Sequence, residues 1–177
     1  NLVPGHPIAG TEFSGAVNAK NDLFKKKWCV LTPLDNKNRS HLIIRKIWEE
    51  IGMNVSIMTV DEHDKIMSIT SHLPHLIAFT IVGTAFSIDL KKKKDLINFS
   101  AGGFRDFTRI GSSDPQMWTD IFIKNKTHLL KTLQDFLKDI EKFKNLIEND
   151  EIKKIFSSLK RNKKIRKSIN QLSSLKN

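Results

Sequence analysis

The sequence predicts a short α/β segment followed by an all-helical remainder, mainly α overall. Two observations carry this. Strand-like and helix-like runs alternate through the first sixty residues at the spacing of one parallel crossover unit. From Asp61 onward the apolar residues recur at helical period to the end of the 177 residues. With 39% apolar residues, the chain can bury one sizeable core or two small ones, which argues against intrinsic disorder.

Taken in order, Trp28-Cys29-Val30-Leu31-Thr32 forms a short apolar strand. Pro33 ends it, because proline has no N–H to give to a ladder. A helix is expected over about 38–51, with Leu42, Ile43, Ile47, Trp48 and Ile51 on its packed face. Gly52 stands where a helix C-terminus favours a residue tolerant of positive φ. Asn54 to Val60, rich in β-branched residues and Met, is expected to form the next strand. Asp61 is the expected N-cap of a long helix, with Glu62 and Asp64 near its positive end. Within that helix Leu76 to Phe86 is apolar nearly all round, the signature of burial on every side. In a chain this small such burial calls for a second subunit. Two amphipathic helices follow, one marked by Leu129, Leu130, Leu133, Phe136, Leu137, Ile140, Phe143 and Ile147, the other, less regular, by Ile152 through Ile169. The division between halves is expected near residue 60, giving segments 1–60 and 61–177.

Charge and cysteine narrow the function classes. The net charge is +11, but residues 151–177 hold nine basic residues and one acid, while the other 150 carry 21 basic against 18 acidic. A nucleic-acid-binding domain spreads its excess over a face; here it sits on a solvated terminal helix, so no nucleic-acid partner is expected. The single Cys29 excludes an internal disulfide and a Cys-rich zinc module, and points to a reducing compartment, the cytoplasm. The longest apolar-rich run, Leu76 to Phe86, falls short of the roughly 18 residues a membrane span needs. The chain opens on Asn1 with no basic-then-apolar leader, and is expected to have been cut from something longer.

Four polar clusters resist a purely structural explanation. In Gly5-His6-Pro7-Ile8-Ala9-Gly10-Thr11-Glu12, Pro7 makes His6 extended and the glycines permit close backbone approach. An imidazole on such a loop, beside Thr11 and Glu12, suits proton handling near neutrality or is simply a turn residue. In Ser71-His72-Leu73-Pro74-His75, two His at i, i+3 share a face. They are satisfied core histidines, contacts to a charged ligand, or part of a metal site with His63 or Asp64. A metal needs three or four converging ligands and the sequence guarantees two, so none is expected. Ala101-Gly102-Gly103-Phe104-Arg105-Asp106-Phe107-Thr108-Arg109-Ile110 offers Arg forks for a carboxylate, or Arg paired with Asp106 and Asp114. In Asp114-Pro115-Gln116-Met117-Trp118, Asp114 caps a helix that Pro115 opens, and Trp118 is core or pocket wall.

Together, His6-Pro7-Ile8-Ala9-Gly10-Thr11-Glu12, Leu31-Thr32-Pro33, Asp61-Glu62-His63-Asp64, Ser71-His72-Leu73-Pro74-His75, Gly102 through Arg109 and Ser113-Asp114-Pro115 resemble the prephenate/arogenate (cyclohexadienyl) dehydrogenases, in order and spacing, over about residues 5–120. The resemblance implies that residues 1–60 are the tail of a dinucleotide-binding Rossmann domain and 61–177 a helical substrate-binding and dimerisation domain. It implies NAD or NADP as cofactor, prephenate or arogenate as substrate, a homodimer, a place in tyrosine biosynthesis, and His6 as the group that helps remove the substrate's C4 hydroxyl proton. It further implies His75 and Arg109 as partners of the substrate carboxylates, Thr11, Glu12, Gly102 and Trp118 as pocket residues, and Asp64 and Asp106 with Glu12 and Arg109 as an ionic gate. One departure stands out: the sequence has no Gly-x-Gly-x-x-Gly, so this chain alone is expected to bind dinucleotide poorly and to be inactive. The sequence leaves open prephenate against arogenate, NAD against NADP, and tyrosine feedback. Competing readings are a non-catalytic dimerisation or regulatory module, and another NAD(P)-dependent dehydrogenase with a helical C-terminal domain. The latter would lean on a Lys that Ile66 to Phe86 lacks.

Overall fold

Proline shapes the first strand. The computed structural model describes residues 2–10, 15–35, 39–87 and 93–174, and within it Gly5–Ile8 forms β1 where the sequence suggests only a loop. Extended backbone forced by Pro7 pairs antiparallel with β2, Trp28–Leu31, His6 lying opposite Val30 and Pro7 opposite Cys29. Because the strand order is β1-β2-β3, β1 is an outer strand and tolerates the N–H that Pro7 lacks. Gly5 is required by close approach: a Cβ there would meet Leu31 Cδ2 at 3.1 Å.

β3, Asn54–Ile57, runs parallel to β2, and α1, Ser40–Glu50, makes the crossover between them. The helix ends as Gly52 promises. With φ of +95°, Gly52 donates its N–H to Glu49 O (2.9 Å) and Met53 donates to Trp48 O (3.0 Å), the paired bonds of a Schellman motif. Cys29, Leu31 and Met53 form the buried centre here, with Phe24, Ile44, Trp48 and Val55 packed around it. Of the face predicted for α1 only Trp48 belongs to this cluster. Leu42, Ile43, Ile47 and Ile51 stay exposed, because the helix meets the sheet along the narrow Ile44–Trp48 stripe.

Two boundaries near residue 60 differ from expectation. β3 stops at Ile57, and the N-cap is Thr59 instead of Asp61. Thr59 wins because its hydroxyl accepts the Glu62 N–H (3.2 Å) while the Glu62 carboxylate accepts the Thr59 N–H (2.8 Å), a capping box that satisfies two donors at once. This bonding also holds the Glu62 carboxyl below its ordinary pKa. α2, Val60–Met67, passes into a π-helical turn, Ser68–His72, and then α3, Leu73–Phe86. The wide turn has its cause in Pro74, which cannot donate and whose ring crowds the carbonyl four residues back. Leu73 donates instead to Ser68 O, one residue further than in an α-helix.

Within this chain α3 is not buried all round. Leu73 and Ala78 are buried, but Ile81 and Phe86 remain exposed. The continuous helical stretch Val60–Phe86 is 27 residues long and, by length and composition, apolar enough to cross a membrane, further than the eleven-residue apolar run suggested. Length and composition do not separate a membrane span from a helix covered by protein, and this one opens on charged Asp61, Glu62, Asp64 and Lys65.

Short helices α4, Lys93–Asn98, and α5, Gly102–Thr108, lead to a 3-10 turn, Arg109–Ser112. That turn lies directly against α3: a Cβ on Gly111 would meet Ala78 O at 3.1 Å. α6, Pro115–Lys124, starts as predicted, with Asp114 Oδ1 accepting the Met117 N–H (2.7 Å). α7, Lys126–Glu148, and α8, Ile152–Ser174, complete the chain. Two compact units result, Asn1–Leu130 and Lys131–Asn177. In the second, α8 carries the basic excess and exposes Ile152, Phe156, Leu159, Ile165 and Ile169.

Candidate active site

A cavity of about 860 Å³ opens in the first unit. β1 brings His6 to it, α2 brings His63 and Asp64, the π-helical turn His72, α3 His75, the 3-10 turn Arg109, and α6 Trp118. Segments more than a hundred residues apart in sequence thus share one wall. His6 and Arg109, the cationic group from the helical half, line a common space.

The hydrogen bonds fix the orientation of three imidazoles. Asp64 Oδ1 lies 2.8 Å from His63 Nδ1, and His63 Nε2 lies 2.8 Å from His6 Nδ1; the two rings meet edge to face with centroids 5.1 Å apart. His75 Nδ1 donates to Ser71 O at 2.8 Å, so in the uncharged ring Nε2 holds the lone pair. Its ring stacks on Trp118 at 3.7 Å between centroids and 20° between planes. Trp118 is buried, and its Nε1–H has no partner among the described residues. His72 is held differently. Asn125 Nδ2 lies 2.7 Å from the Asp64 carbonyl, a pure acceptor, and 3.1 Å from His72 Nδ1. The amide therefore donates to both, and His72 carries its proton on Nε2.

Burial pushes three of these imidazoles toward their neutral forms. The His6 pKa lies below its ordinary value through desolvation and then through His63. Desolvation dominates for His72 as well, with Asp64 opposing it, and for His75, where the bond to Ser71 opposes it. Among described residues the cavity wall carries three fixed cations, Lys27, Arg109 and Lys124, against one carboxylate, Asp64. Such a wall favours an anion, and bringing one close favours protonation of a neighbouring imidazole.

The predicted residues divide into three groups. His6, Asp64, His75, Arg109 and Trp118 line the cavity. Gly102 and Asp106 sit together on α5, where a Gly102 Cβ would lie 3.9 Å from Asp106 Oδ2, and neither is part of the wall. Thr11 and Glu12 lie outside the described residues. Three contributors went unread in the sequence. Asn125 looks like an ordinary residue at a helix end, Gly111, which seats the Arg109 turn on α3 without lining the cavity, carries no local motif, and Lys27 is one of many lysines. Only their long-range contacts single them out.

A family model described as the prephenate dehydrogenase dimerization domain matches residues 59–161, and one described as the prephenate dehydrogenase nucleotide-binding domain matches residues 1–57. The chain belongs to the prephenate dehydrogenase family. A cyclohexadienyl dehydrogenase of Zymomonas mobilis is 35% identical over 167 residues, 93% of this chain and 57% of its own length. A prephenate dehydrogenase of Bacillus subtilis is 34% identical over 90% of this chain and 43% of its own. The crystal structure of prephenate dehydrogenase from Aquifex aeolicus in complex with hydroxyphenyl propionate and NAD+ superposes with a TM-score of 0.86 and 38% identity, covering 94% of this chain and 58% of that one. The chain therefore spans about half the length of the curated relatives it matches.

Proposed function

We propose that this chain forms the substrate side of a prephenate or arogenate dehydrogenase, an enzyme of tyrosine biosynthesis that converts a cyclohexadienyl acid to its 4-hydroxyphenyl product and CO2 with NAD(P). The observation that carries the reading is the shared cavity of His6, His75, Arg109 and Trp118, cationic, with an aromatic floor. In this division, residues 1–60 belong to the nucleotide-binding half and 61–177 to the substrate-binding and dimerising half, in line with the family-model matches.

The chemistry asks little beyond orientation and charge. Aromatisation supplies the driving force, so the protein must hold two carboxylates and accept one proton. His6 takes the C4 hydroxyl proton, for which its depressed pKa keeps the ring uncharged near neutrality. Arg109 and His75 hold carboxylates, Arg by its planar fork and His75 by gaining a proton on Nε2 as the anion arrives. The ring carboxylate is held loosely, since tight binding of a departing group would stabilise the ground state. Asp64, Arg109, Glu12 and Asp106 are assigned to an ionic gate, and Thr11 and Gly102 to the pocket, on the resemblance alone; of these Asp64 and Arg109 line the cavity. The residues present do not fit a dinucleotide's pyrophosphate, because no Gly-x-Gly-x-x-Gly occurs.

The exposed apolar residues of α3, α7 and α8 support a homodimer, the partner copy covering what the chain leaves open; the biosynthetic dehydrogenases it resembles support a soluble, cytoplasmic enzyme. Tyrosine shares the product's ring and a carboxylate, which makes it a candidate competing ligand of the same cavity.

Calorimetry of the chain with hydroxyphenyl propionate, and turnover of prephenate and arogenate by the chain joined to a family nucleotide-binding half, test the proposal. In the joined enzyme His6→Asn lowers kcat by about 10²–10⁴-fold with little change in KM. Arg109→Gln weakens substrate by about 1.5–3 kcal/mol and leaves cofactor affinity alone. A His6→Asn effect confined to KM, or an equal loss of cofactor affinity in Arg109→Gln, refutes these assignments.

A further inference from the structure

The Asp64–His63–His6 chain reaches beyond the residues that touch substrate. With both rings uncharged, each link has one direction. The Asp64 carboxylate can only accept, so His63 Nδ1 bears a proton and donates to it across 2.8 Å. In uncharged His63 the other nitrogen, Nε2, then holds a lone pair. That lone pair faces His6 Nδ1 at 2.8 Å, so His6 Nδ1 bears a proton in turn. Only His6 Nε2 is left with a lone pair, on a ring that lines the cavity. We propose that His63 and Asp64 are positioning residues that lock His6 in the Nδ1–H form, leaving Nε2 as the proton acceptor for a hydroxyl in the cavity.

The arrangement rests on the function proposed above, and it explains features which that reading leaves aside. His63 has no direct part in holding carboxylates, yet it is the hydrogen-bond partner of the imidazole that takes the proton. The placement of His63 and Asp64 as neighbours on α2 lets one rigid turn, locked by the Thr59–Glu62 capping box directly before them, set both links. When His6 accepts the substrate proton at Nε2, the positive ring donates more strongly to His63, and the Asp64 carboxylate lies two bonds along to balance the charge. The O–H bond breaks and the N–H bond forms at His6; no atom is gained or lost by His63 or Asp64. This is the role a carboxylate plays behind a catalytic imidazole in serine hydrolases, with a second imidazole interposed.

Nitrogen-15 NMR of the imidazoles in this chain, above the His6 pKa, reads the tautomer directly and requires neither substrate nor cofactor. The expected spectrum has a protonated Nδ1 and an unprotonated Nε2 at His6. In His63→Leu the His6 signal shifts toward the Nε2–H form, whereas His63→Gln, whose amide oxygen replaces the Nε2 lone pair, keeps the original form. In the joined enzyme His63→Leu lowers kcat by about 10–100-fold, part of what a positioned base contributes, with KM within about twofold, and His63→Gln recovers most of it. Asp64→Asn, which keeps the side-chain volume, tests the outer link should His63→Leu fail to fold, and is expected to mix the two tautomers. An unchanged His6 tautomer in His63→Leu or Asp64→Asn overturns the proposal. So does a tautomer that shifts without loss of kcat. Absence of dehydrogenase activity in the joined wild-type enzyme, with the His6 tautomer as expected, overturns the functional reading and the role built on it while leaving the hydrogen-bond chain standing.

Discussion

Replacing Asn125 by Ala removes a side chain that no sequence motif marks and that the structure makes a strut. Its amide nitrogen bonds the Asp64 carbonyl at 2.7 Å and His72 Nδ1 at 3.1 Å, and only 7% of the residue is exposed. Each hydrogen bond contributes about 0.5–1.5 kcal/mol net, and a buried acceptor left unpaired costs about 1–3 kcal/mol. Water entering from the adjacent cavity recovers part of the second amount, so the expected loss is roughly 2–4 kcal/mol. For a chain of this size that lowers Tm by about 4–16 °C. All three tryptophans, Trp28, Trp48 and Trp118, lie in the first unit, so tryptophan fluorescence during urea unfolding reports on the unit that contains Asn125. Thr119→Ala, in the same unit, is the control: Thr119 Oγ1 donates to Pro115 O at 2.8 Å but is exposed, and its loss is expected to stay within about 0.5 kcal/mol. If Asn125→Ala costs no more than this control, water already competes for the Asp64 carbonyl and His72, and the strut has no energetic content.

Two more outcomes follow from close packing and from the imidazoles. Gly111→Ala places a Cβ about 3.1–3.3 Å from α3 backbone atoms at Ala78 and Phe79, which cannot yield as a flexible side chain would. The expected cost is about 1–3 kcal/mol of stability, together with weaker hydroxyphenyl propionate binding as the Arg109 turn shifts; unchanged values for both would show that the turn has slack. His6, His72 and His75 all have folded-state pKa values below the ordinary 6.5. The unfolded chain therefore binds more protons than the folded one once pH drops below about 6.5, and stability rises with pH across that window. The contribution is complete above 6.5 and is lost as pH falls from 6.5 through the lowered folded values. Urea midpoints taken from pH 7.5 down to 5 should decrease, and less steeply in His72→Gln; a flat profile contradicts the desolvation of these rings.

The sequence by itself determined the features that depend on neighbours along the chain. The parallel β2–α1–β3 unit follows from an apolar strand, a helical stripe and Gly52, because φ of +95° is a local demand. Asp114 and Pro115 start α6 for equally local reasons. His6, His75 and Arg109 were readable as chemistry-bearing because each stands in a motif whose glycine or proline sets the local backbone. Local reasoning also misled. Asp61 satisfies the rules for a cap, but Thr59 makes two bonds where Asp61 would make one. The run Leu76–Phe86 states how apolar α3 is, without stating what covers it.

Tertiary structure alone decided the partners of these groups. His6 is 57 residues from His63, and Asn125 is 53 from His72; no periodicity encodes such pairings. They arise because a three-stranded sheet and a proline-widened helix bring β1, α2 and α6 to one cavity. The tautomer and charge of each imidazole are set there, by whichever donor or acceptor lies within about 3 Å. A hydrogen bond depends on tenths of an ångström, and those are fixed only when the whole unit has packed.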